Sequence, residues 1–333
     1  MKRKLLGRVS AVAMASAMMV SMFGMTTFAA DKVTSVDLTK TITADSNVLA
    51  PDADFIFTVT PAKVSEGTEN TEGEVVYSGV TGGASFDTGD NTISFAPGDN
   101  LSKATQISLD SSVFRAPGIY RYEVRESNGS YDGMSYSSSV YYLDLYVVNG
   151  TNGFEIDAAI VRNSEGNKVD DIEFVNTYTT NDLTVEKVVT GSQGDHTKEF
   201  GFSITVTAAG GAEEQYTMIV TNQDETTAAY TLTSGTAQTF TLADGETAVI
   251  YGLSANDTYV VEETDADADG YTTSVSGSED GKISQDTTVT YKNDRDVSAP
   301  TGIIMNIAPY IVLVAFAAVA ALFFLRRRNS RDF

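Results

Sequence analysis

Leu183-Thr184-Val185-Glu186-Lys187-Val188-Val189 alternates apolar and polar residues, which predicts a β-strand with one face in a hydrophobic core. Because side chains alternate between the two faces of a strand, Lys187 shares its face with Val185 and Val189. An unpaired buried ammonium is costly, so such a lysine must find a partner, lose its proton or react. The sequence therefore places a charged amine where a core residue is expected.

Lys40 repeats this anomaly in the first half of the chain, together with a glutamate and an asparagine. Alternation places Lys40, Glu126 and Asn176 on the apolar faces of three different predicted strands. These strands are predicted over residues 34–43, 118–126 and 171–178. A polar residue at one strand end is ordinary, but one on each of three apolar faces indicates a buried polar cluster.

Lys187, Glu263 and Asn293 follow in the same order in the second half of the chain, again on predicted apolar faces. Glu262 is the main alternative to Glu263, but alternation places Glu262 on the opposite face of its strand. The repeated order of lysine, glutamate and asparagine favours a common function over six unrelated surface residues.

A buried lysine, glutamate and asparagine can form an amide bond between the lysine and asparagine side chains. Burial lowers the pKa of a lysine amine and raises that of a neighbouring carboxyl group, so the pair can exist as neutral amine and carboxylic acid. The acid can hydrogen-bond the asparagine carbonyl and shuttle protons while ammonia leaves. The sequence therefore predicts one self-formed cross-link in each half, a single-turnover reaction rather than enzyme activity.

Short alternating segments separated by Gly, Asn, Asp and Ser predict β-strands joined by turns, with almost no helix signal. A polar stretch over residues 65–74 predicts an exposed loop, and a polar joint over residues 179–182 precedes a restart of the strand pattern. These features predict an all-β protein of two tandem immunoglobulin-like β-sandwich domains, over residues 31–180 and 181–296.

Both ends of the chain differ from these domains. Residues 1–30 combine basic residues, an apolar run and small residues, which predicts a secretory signal peptide cleaved after Ala29 or Ala30. Residues 303–325 are almost uninterruptedly apolar and precede an arginine cluster, which predicts a transmembrane helix with a cytoplasmic tail. The domains between these segments are therefore expected outside the cell.

Acidic residues dominate the predicted ectodomain, which has 14 basic and 44 acidic residues and a formal charge of −30. This charge repels phosphate backbones, so no nucleic-acid partner is expected. The chain has no cysteine and a single histidine, His196, which leaves little for conventional nucleophilic or zinc chemistry. Neither a metal nor a cofactor is predicted.

The polar clusters and their surroundings resemble the major, shaft-forming pilins of Gram-positive bacteria, of the streptococcal two-domain type with Cna-B-like domains. The resemblance covers essentially the whole ectodomain. In the first domain it rests on Leu38-Thr39-Lys40, on residues 117–126 and on Ile172-Glu173-Phe174-Val175-Asn176. In the second it rests on Leu183-Thr184-Val185-Glu186-Lys187, Tyr259-Val260-Val261-Glu262-Glu263 and Tyr291-Lys292-Asn293.

The resemblance implies a structural subunit of a covalent pilus shaft with intramolecular isopeptide bonds. The implied bonds and their assisting acids are Lys40–Asn176 with Glu126 and Lys187–Asn293 with Glu263. The alternative is a wall-anchored adhesin, or a minor tip or basal pilin, that binds a host protein or glycan. Such a protein would share the fold and the anchor.

Ser298-Ala299-Pro300-Thr301-Gly302 precedes the apolar span and resembles a sortase sorting signal that is cut between Thr301 and Gly302. It departs from the common Leu-Pro-x-Thr-Gly, since Ser298 and Ala299 stand where Leu and Pro would be, and it is closer to the Val-Pro-Thr-Gly variant of pilin-type sortases. Residues 297–333 are therefore expected to form the sorting signal of a secreted, wall-anchored protein. The implied partners are a pilin-class sortase, copies of the chain itself, minor pilins and cell-wall peptidoglycan.

Polymerisation requires a lysine on one subunit to attack the acyl-sortase formed at Thr301 of another. In the streptococcal relatives this lysine lies just ahead of the final strand of the first domain, where this chain has Lys168. Lys168 is therefore the expected intermolecular linkage site, and Lys63 and Lys103 are the alternatives.

Overall fold

β-Strands follow one another through residues 32–210 and 214–296, the parts of the chain that the computed structural model describes. The first half also contains a short 3-10 helix, Ser111–Val113. Its strands are β1 (Ser35–Thr43), β2 (Ala53–Pro61), β3 (Val76–Ser78), β4 (Ala84–Ser85), β5 (Thr92–Phe95), β6 (Ser102–Leu109), β7 (Gly118–Glu126), β8 (Met134–Ser135), β9 (Val140–Gly150), β10 (Gly153–Arg162), β11 (Lys168–Val169) and β12 (Ile172–Tyr178).

The second half has a similar run of strands and a 3-10 helix at Ala268–Gly270. Its strands are β13 (Asn181–Thr190), β14 (Phe200–Thr207), β15 (Gln215–Thr221), β16 (Thr227–Thr233), β17 (Gln238–Leu242), β18 (Thr247–Leu253), β19 (Thr258–Glu263), β20 (Thr272–Ser276), β21 (Asp280–Lys282) and β22 (Thr287–Asp294).

Two sheets of the first half enclose one core. One sheet has the order β4-β6-β1-β12-β8, and the other has the order β11-β10-β9-β7-β2-β5 with β3 beside β7. Side chains from both sheets, among them Leu38, Phe57 and Phe174, are buried between them. Strands β1 and β12, the first and last of this sandwich, are parallel neighbours. The two ends of a long chain segment therefore lie side by side.

The second half repeats this arrangement with two sheets of its own. Their orders are β16-β15-β18-β13-β22-β20 and β17-β14-β19-β21. Val185, Phe202 and Tyr291 belong to the core between them. The first and last strands, β13 and β22, again pair in parallel. Both sandwiches thus join their first strand to their last.

The prediction of an all-β protein with two β-sandwiches is confirmed by these sheets and cores. Strands β10 and β16 lack a clear alternating pattern in the sequence, for local reasons. A register shift between Ile156 and Ala158 interrupts the alternation of β10. Strand β16 is an edge strand whose only buried residue is Leu232, so it has no apolar face that a pattern could reveal.

Residues 65–74, expected to be an exposed loop, contain an ordered turn around Asn70. The Asn70 side chain is buried, and its Oδ1 accepts hydrogen bonds from the backbone amides of Glu72 and Glu74 at 3.0 and 2.9 Å. Its Nδ2 donates to the Tyr146 hydroxyl on β9 at 3.2 Å. An Asx-type turn therefore fixes this segment against the seven-stranded sheet.

Carboxylates gather where the two sandwiches meet. Asp132 accepts a hydrogen bond from Nδ2 of Asn256 at 3.1 Å. Glu214 is only 8% exposed and accepts from the Asp52 backbone amide at 3.2 Å. Burial, with the negative charges of Asp257 and Asp52 nearby, raises the pKa of Glu214 to about 7. The junction is therefore more stable when Glu214 is protonated.

We expect Glu214→Gln to remove part of the pH dependence of stability. A carboxyl group whose pKa rises from 4.5 to about 7 on folding favours the folded state at low pH. Its contribution is fully present below the ordinary pKa and is lost as the pH rises through the folded-state value. Between these limits the melting temperature of the wild type should fall by a few °C more than that of Glu214→Gln, by scanning calorimetry.

Glu199→Gln is the matched control, because Glu199 is an exposed glutamate of the same sandwich. It should retain the pH dependence of the wild type. Parallel melting curves for the wild type and Glu214→Gln across the window would contradict the assignment of this effect to Glu214.

Candidate functional site

Lys40, Glu126 and Asn176 meet inside the first sandwich, where they are 0%, 7% and 0% exposed. Lys40 on β1 pairs in register with Phe174 on β12, so Asn176 lies two residues further along the neighbouring strand and on the same face. Glu126 ends β7 in the facing sheet. The first strand, the last strand and the opposite sheet each supply one member of the cluster.

The Glu126 carboxylate bridges the other two side chains. Lys40 Nζ donates to Glu126 Oε2 at 3.1 Å, and Asn176 Nδ2 donates to Glu126 Oε1 at 2.6 Å. The amide oxygen of Asn176 accepts from the Ser137 backbone amide at 2.8 Å. One carboxylate is therefore in contact with both the amine and the nitrogen of the carboxamide.

Lys187, Glu263 and Asn293 form the same cluster in the second sandwich, with exposures of 0%, 4% and 0%. Lys187 Nζ donates to Glu263 Oε2 at 3.0 Å, and Asn293 Nδ2 donates to Glu263 Oε1 at 2.5 Å. Within the described residues, Asn293 Oδ1 is a buried oxygen without a hydrogen-bond partner. Such an atom is costly to bury, which is consistent with a reactive rather than a purely stabilising group.

Strand register gives both clusters the same framework. Glu126 lies opposite Phe57 across β7 and β2, and Glu263 lies opposite Phe202 across β19 and β14. In both sandwiches that phenylalanine packs on an aromatic residue of the last strand. The ring centroids are 5.4 Å apart for Phe57–Phe174 and 5.2 Å apart for Phe202–Tyr291. The two clusters are therefore equivalent in construction as well as in sequence order.

Aromatic rings cover both amines. Lys40 Nζ lies 4.6 Å from the centroid of the Phe55 ring, and Lys187 Nζ lies 4.2 Å from that of Phe200. Burial lowers the pKa of Lys40 to about 8, although the Glu126 carboxylate opposes this shift. Burial likewise lowers the pKa of Lys187 against the opposing effect of Glu263. Both amines therefore lose a proton more readily than a lysine in water does.

The contact to asparagine differs from the one that the sequence analysis expects. The prediction has the acid donating a hydrogen bond to the asparagine carbonyl. In the structure both carboxylates instead accept a hydrogen bond from the asparagine amide nitrogen. This geometry connects the lysine nitrogen to the nitrogen that would leave as ammonia. The carboxylate is thus placed to move protons between the two nitrogens, and the Ser137 amide is placed to polarise the carbonyl in the first sandwich.

Glu262 is exposed and lies on the outer face of β19, whereas Glu263 reaches the core cluster. Alternation thus selects between the two neighbouring acids.

Lys168 lies on the short edge strand β11 with 51% of its side chain exposed, and its Nζ is 3.3 Å from Glu72 Oε1. Lys63 is exposed, and Lys103 contacts Asp99 at 2.6 Å.

The expected signal peptide, Thr301, Gly302 and the apolar segment at 303–325 lie outside the described residues. Among residues 32–210 and 214–296, no helix has the length and apolar character needed to cross a membrane. In the same ranges, no cluster of three or more His, Cys, Asp or Glu side chains is arranged to hold a metal ion.

Sequence reasoning missed a second buried polar group in the first sandwich. Asp144 on β9 and Arg162 on β10 are both 0% exposed and form an ion pair with an Nε–Oδ2 distance of 2.7 Å. The available signal is that Asp144 interrupts an apolar strand between Leu143 and Leu145. Tyr142 and Tyr146 share the face of Asp144 and indicate that both sides of the strand are covered, but the sequence pattern does not identify Arg162 as the buried partner of Asp144.

Comparison with known proteins supplies the family. Residues 36–179 match the model of the Spy0128-like isopeptide containing domain, and residues 181–295 match a domain of unknown function, DUF7601. A pilus tip adhesin, Cpa, from Streptococcus pyogenes is 38% identical over 131 residues, which cover 37% of this chain and 18% of the adhesin.

Similarity over nearly the full length is found with pilins. The major pilin protein (T3.2) of S. pyogenes serotype GAS13637 has the same fold, with a TM-score of 0.58 and 25% identity over 80% of this chain and 99% of that structure. A pilin of S. pyogenes serotype M1 is 30% identical over 306 residues, which cover 86% of this chain and 88% of the relative. The chain therefore belongs to the pilin family.

Proposed function

We propose that two self-formed amide bonds, Lys40–Asn176 and Lys187–Asn293, close the two sandwiches of this pilus shaft subunit. The observation that carries the proposal is the carboxylate that bridges amine and carboxamide in each core, Glu126 in the first and Glu263 in the second. A lysine–glutamate ion pair that only stabilised the core would not require a neighbouring asparagine. A buried asparagine that only stabilised the core would not require a neighbouring lysine.

The reaction follows from the contacts of the carboxylate. It takes one proton from the lysine ammonium, and the neutral amine attacks the asparagine side-chain carbonyl carbon. A second proton moves from the attacking nitrogen through the carboxylate to the amide nitrogen, which leaves as ammonia. One C–N bond forms, one breaks, and the acid finally retains one proton. Burial keeps the groups in contact and supplies the effective concentration.

Mechanical strength is the main benefit of bonds in these positions. Each bond joins the first strand of a sandwich to the last, which are parallel neighbours. A pull on the chain ends then passes through the cross-link and leaves the intervening strands unloaded. By analogy with disulfides that close long loops, each bond also restricts the unfolded chain by about 4–5 kcal/mol.

A shaft subunit fits the comparisons better than an adhesin does. The pilin match spans 86% of this chain and 88% of the relative, whereas the tip adhesin match spans 18% of the adhesin. The domains that the proposal assigns are residues 31–180 and 181–296, each with its own cluster.

Sortase assembly completes the proposed function. Residues 1–30 direct secretion, and residues 297–333 hold the precursor in the membrane until a pilin-class sortase cuts between Thr301 and Gly302. Lys168 of a second copy then accepts the Thr301 carbonyl. Repetition of this step yields a shaft that can also take up minor pilins and become attached to cell-wall peptidoglycan.

We expect intact-mass measurement of the ectodomain to reveal both internal bonds. Each bond releases one ammonia of about 17 Da, so the wild type should be about 34 Da lighter than its sequence mass. Glu126→Gln or Glu263→Gln removes the proton shuttle of one sandwich and should restore about 17 Da. Glu262→Gln is the control and should keep the full deficit, because Glu262 is exposed. A wild-type mass equal to the sequence mass would refute the internal chemistry.

We expect Lys168→Arg to remove most of the high-molecular-weight ladder that cell-wall extracts of the producing bacterium give on denaturing gels, with any residual ladder linked through other lysines. Arginine keeps the charge but its guanidinium is a poor nucleophile because it stays protonated. Lys63→Arg and Lys103→Arg are the controls and should leave the ladder intact. A ladder that persists in Lys168→Arg and disappears in a control would transfer the linkage to that lysine.

A further inference from the structure

Five charged side chains of alternating sign form a continuous chain of ion pairs in the first sandwich, and the chain ends at Lys168. Its members, in order of contact, are Arg121, Asp144, Arg162, Glu72 and Lys168. The internal bond Lys40–Asn176 uses none of them. Their arrangement therefore needs a separate explanation.

The inner part of this chain is rigid. Asp144 accepts from Arg121 Nε at 2.6 Å through Oδ1 and from Arg162 Nε at 2.7 Å through Oδ2. Arg121, Asp144 and Arg162 lie on the adjacent strands β7, β9 and β10. Arg162 and Asp144 are fully buried and their hydrogen bond is charge-assisted, so the Arg162 guanidinium has little freedom to move.

Arg162 fixes two loops outside the sheet. Its Nη1 donates to Thr71 Oγ1 at 2.8 Å in the 65–74 turn, and to the Gly166 carbonyl at 3.1 Å in the connection that leads to β11. Its Nη2 lies 2.5 Å from Glu72 Oε2. The guanidinium thereby sets the position of Glu72 relative to the edge strand that carries Lys168.

Glu72 is shared between Arg162 and Lys168. With Oε2 on the guanidinium, Oε1 lies 3.3 Å from Lys168 Nζ. The Arg162 hydrogen bond, with those of Lys168 and Thr71, holds the pKa of Glu72 at about 2, so the group remains a carboxylate at any pH of the cell surface. The Asn70 turn additionally fixes the Glu72 backbone.

Lys168 differs in its surroundings from the alternative linkage lysine Lys103. The Lys103 ammonium is held by Asp99 Oδ2 and the Ser94 carbonyl, both at 2.6 Å, and lies 5.0 Å from the Phe95 ring centroid. Lys168 has the longer contact of 3.3 Å to Glu72 and is 51% exposed on an edge strand. Its amine is oriented by one carboxylate and still open to a second protein.

We propose that Glu72, anchored by Arg162, is a positioning residue that orients the Lys168 amine for the intersubunit linkage. This inference rests on the proposed role of Lys168. An exposed ion pair adds little stability, so the contact is better explained by orientation than by stabilisation. Edge strand and carboxylate together hold a half-exposed amine at the rim of the sandwich.

Orientation matters because the amine has to meet an acyl-sortase carbonyl within a narrow range of distance and direction. Lys168 first loses one proton to solvent. The neutral amine then attacks the thioester carbonyl, a C–N bond forms, the C–S bond breaks, and the second proton goes to the sortase thiolate. Glu72 takes no part in these transfers and sets only where the nitrogen lies before attack.

The test is the distribution of intersubunit links in shafts extracted from the producing bacterium, measured by mass spectrometry of linked peptides. Glu72→Gln keeps the size of the side chain and removes its charge. We expect links at Lys168 to fall about tenfold relative to the wild type, with a larger share at other lysines such as Lys63. Glu72→Asp keeps the charge but is too short to reach both partners, and should give an intermediate value.

Glu155→Gln is the matched control. It removes a comparable lysine–glutamate pair of the same sandwich, Lys32–Glu155, in which Nζ lies 2.7 Å from Oε1. It should leave the links unchanged. An unchanged ammonia deficit in each variant verifies that both sandwiches have folded, and a general loss of stability would reduce links at all lysines alike.

The possible results separate the two levels of the proposal. If both Glu72 variants form links at Lys168 at the wild-type level, the role of Glu72 is overturned and Lys168 remains the linkage site. If the wild-type shaft is linked through a lysine other than Lys168, both the proposed linkage site and the role of Glu72 are overturned. Loss in Glu72→Gln that is equal at all lysines would also overturn the positioning role.

Discussion

The central interaction in each sandwich of this protein is a buried carboxylate that contacts an ammonium group and a carboxamide. Lys40 or Lys187 alone would be costly to bury, and so would Glu126 or Glu263. The ion pair between lysine and glutamate compensates the burial of both charges. The lysine nitrogen contacts one oxygen of the carboxylate and the asparagine amide nitrogen contacts the other, and these are the two nitrogens between which protons move in the proposed reaction. Aromatic rings over the amines exclude water, which lowers the pKa of both lysines. In the proposed reaction the hydrophobic core therefore does more than stabilise the fold, because its burial of the amine supplies the conditions for attack.

Parallel pairing of the first and last strands makes such a cluster possible. A hairpin brings together residues that are close in sequence, and a bond between them would protect only a short loop. Here β1 lies beside β12 and β13 beside β22, so lysine and asparagine come from opposite ends of each sandwich. Glutamate from the facing sheet completes the group across the core. The same topology thus brings the lysine and asparagine of each cluster together, and it puts the proposed bond between the first and last strands, where a pull on the chain ends acts.

The two sandwiches share their cores and differ at their edges. Their clusters agree in strand pairing, aromatic neighbours and the hydrogen bonds to the carboxylate, and differ at the asparagine oxygen, which accepts from the Ser137 amide in the first sandwich only. Within the described residues, the buried Arg162–Asp144 pair and the loops that it holds belong to the first sandwich. Loops and edge strands tolerate change better than cores do, so the proposed linkage site at the edge is compatible with the proposed internal bond in the core.

The all-β fold and the three residue types of each cluster can be predicted from the sequence, because strand alternation is local and reveals a polar residue on an apolar face. The sequence also separates Glu263 from Glu262 for this reason. The contact of the amide nitrogens with the carboxylates and the burial of the Asp144–Arg162 pair follow from the folded structure and not from the strand pattern. Their burial depends on residues 65–74, which are distant in sequence and cover the outer face of β9 and β10 through side-chain contacts. No local pattern records which loop lies over a strand, because such packing is a property of the whole folded chain.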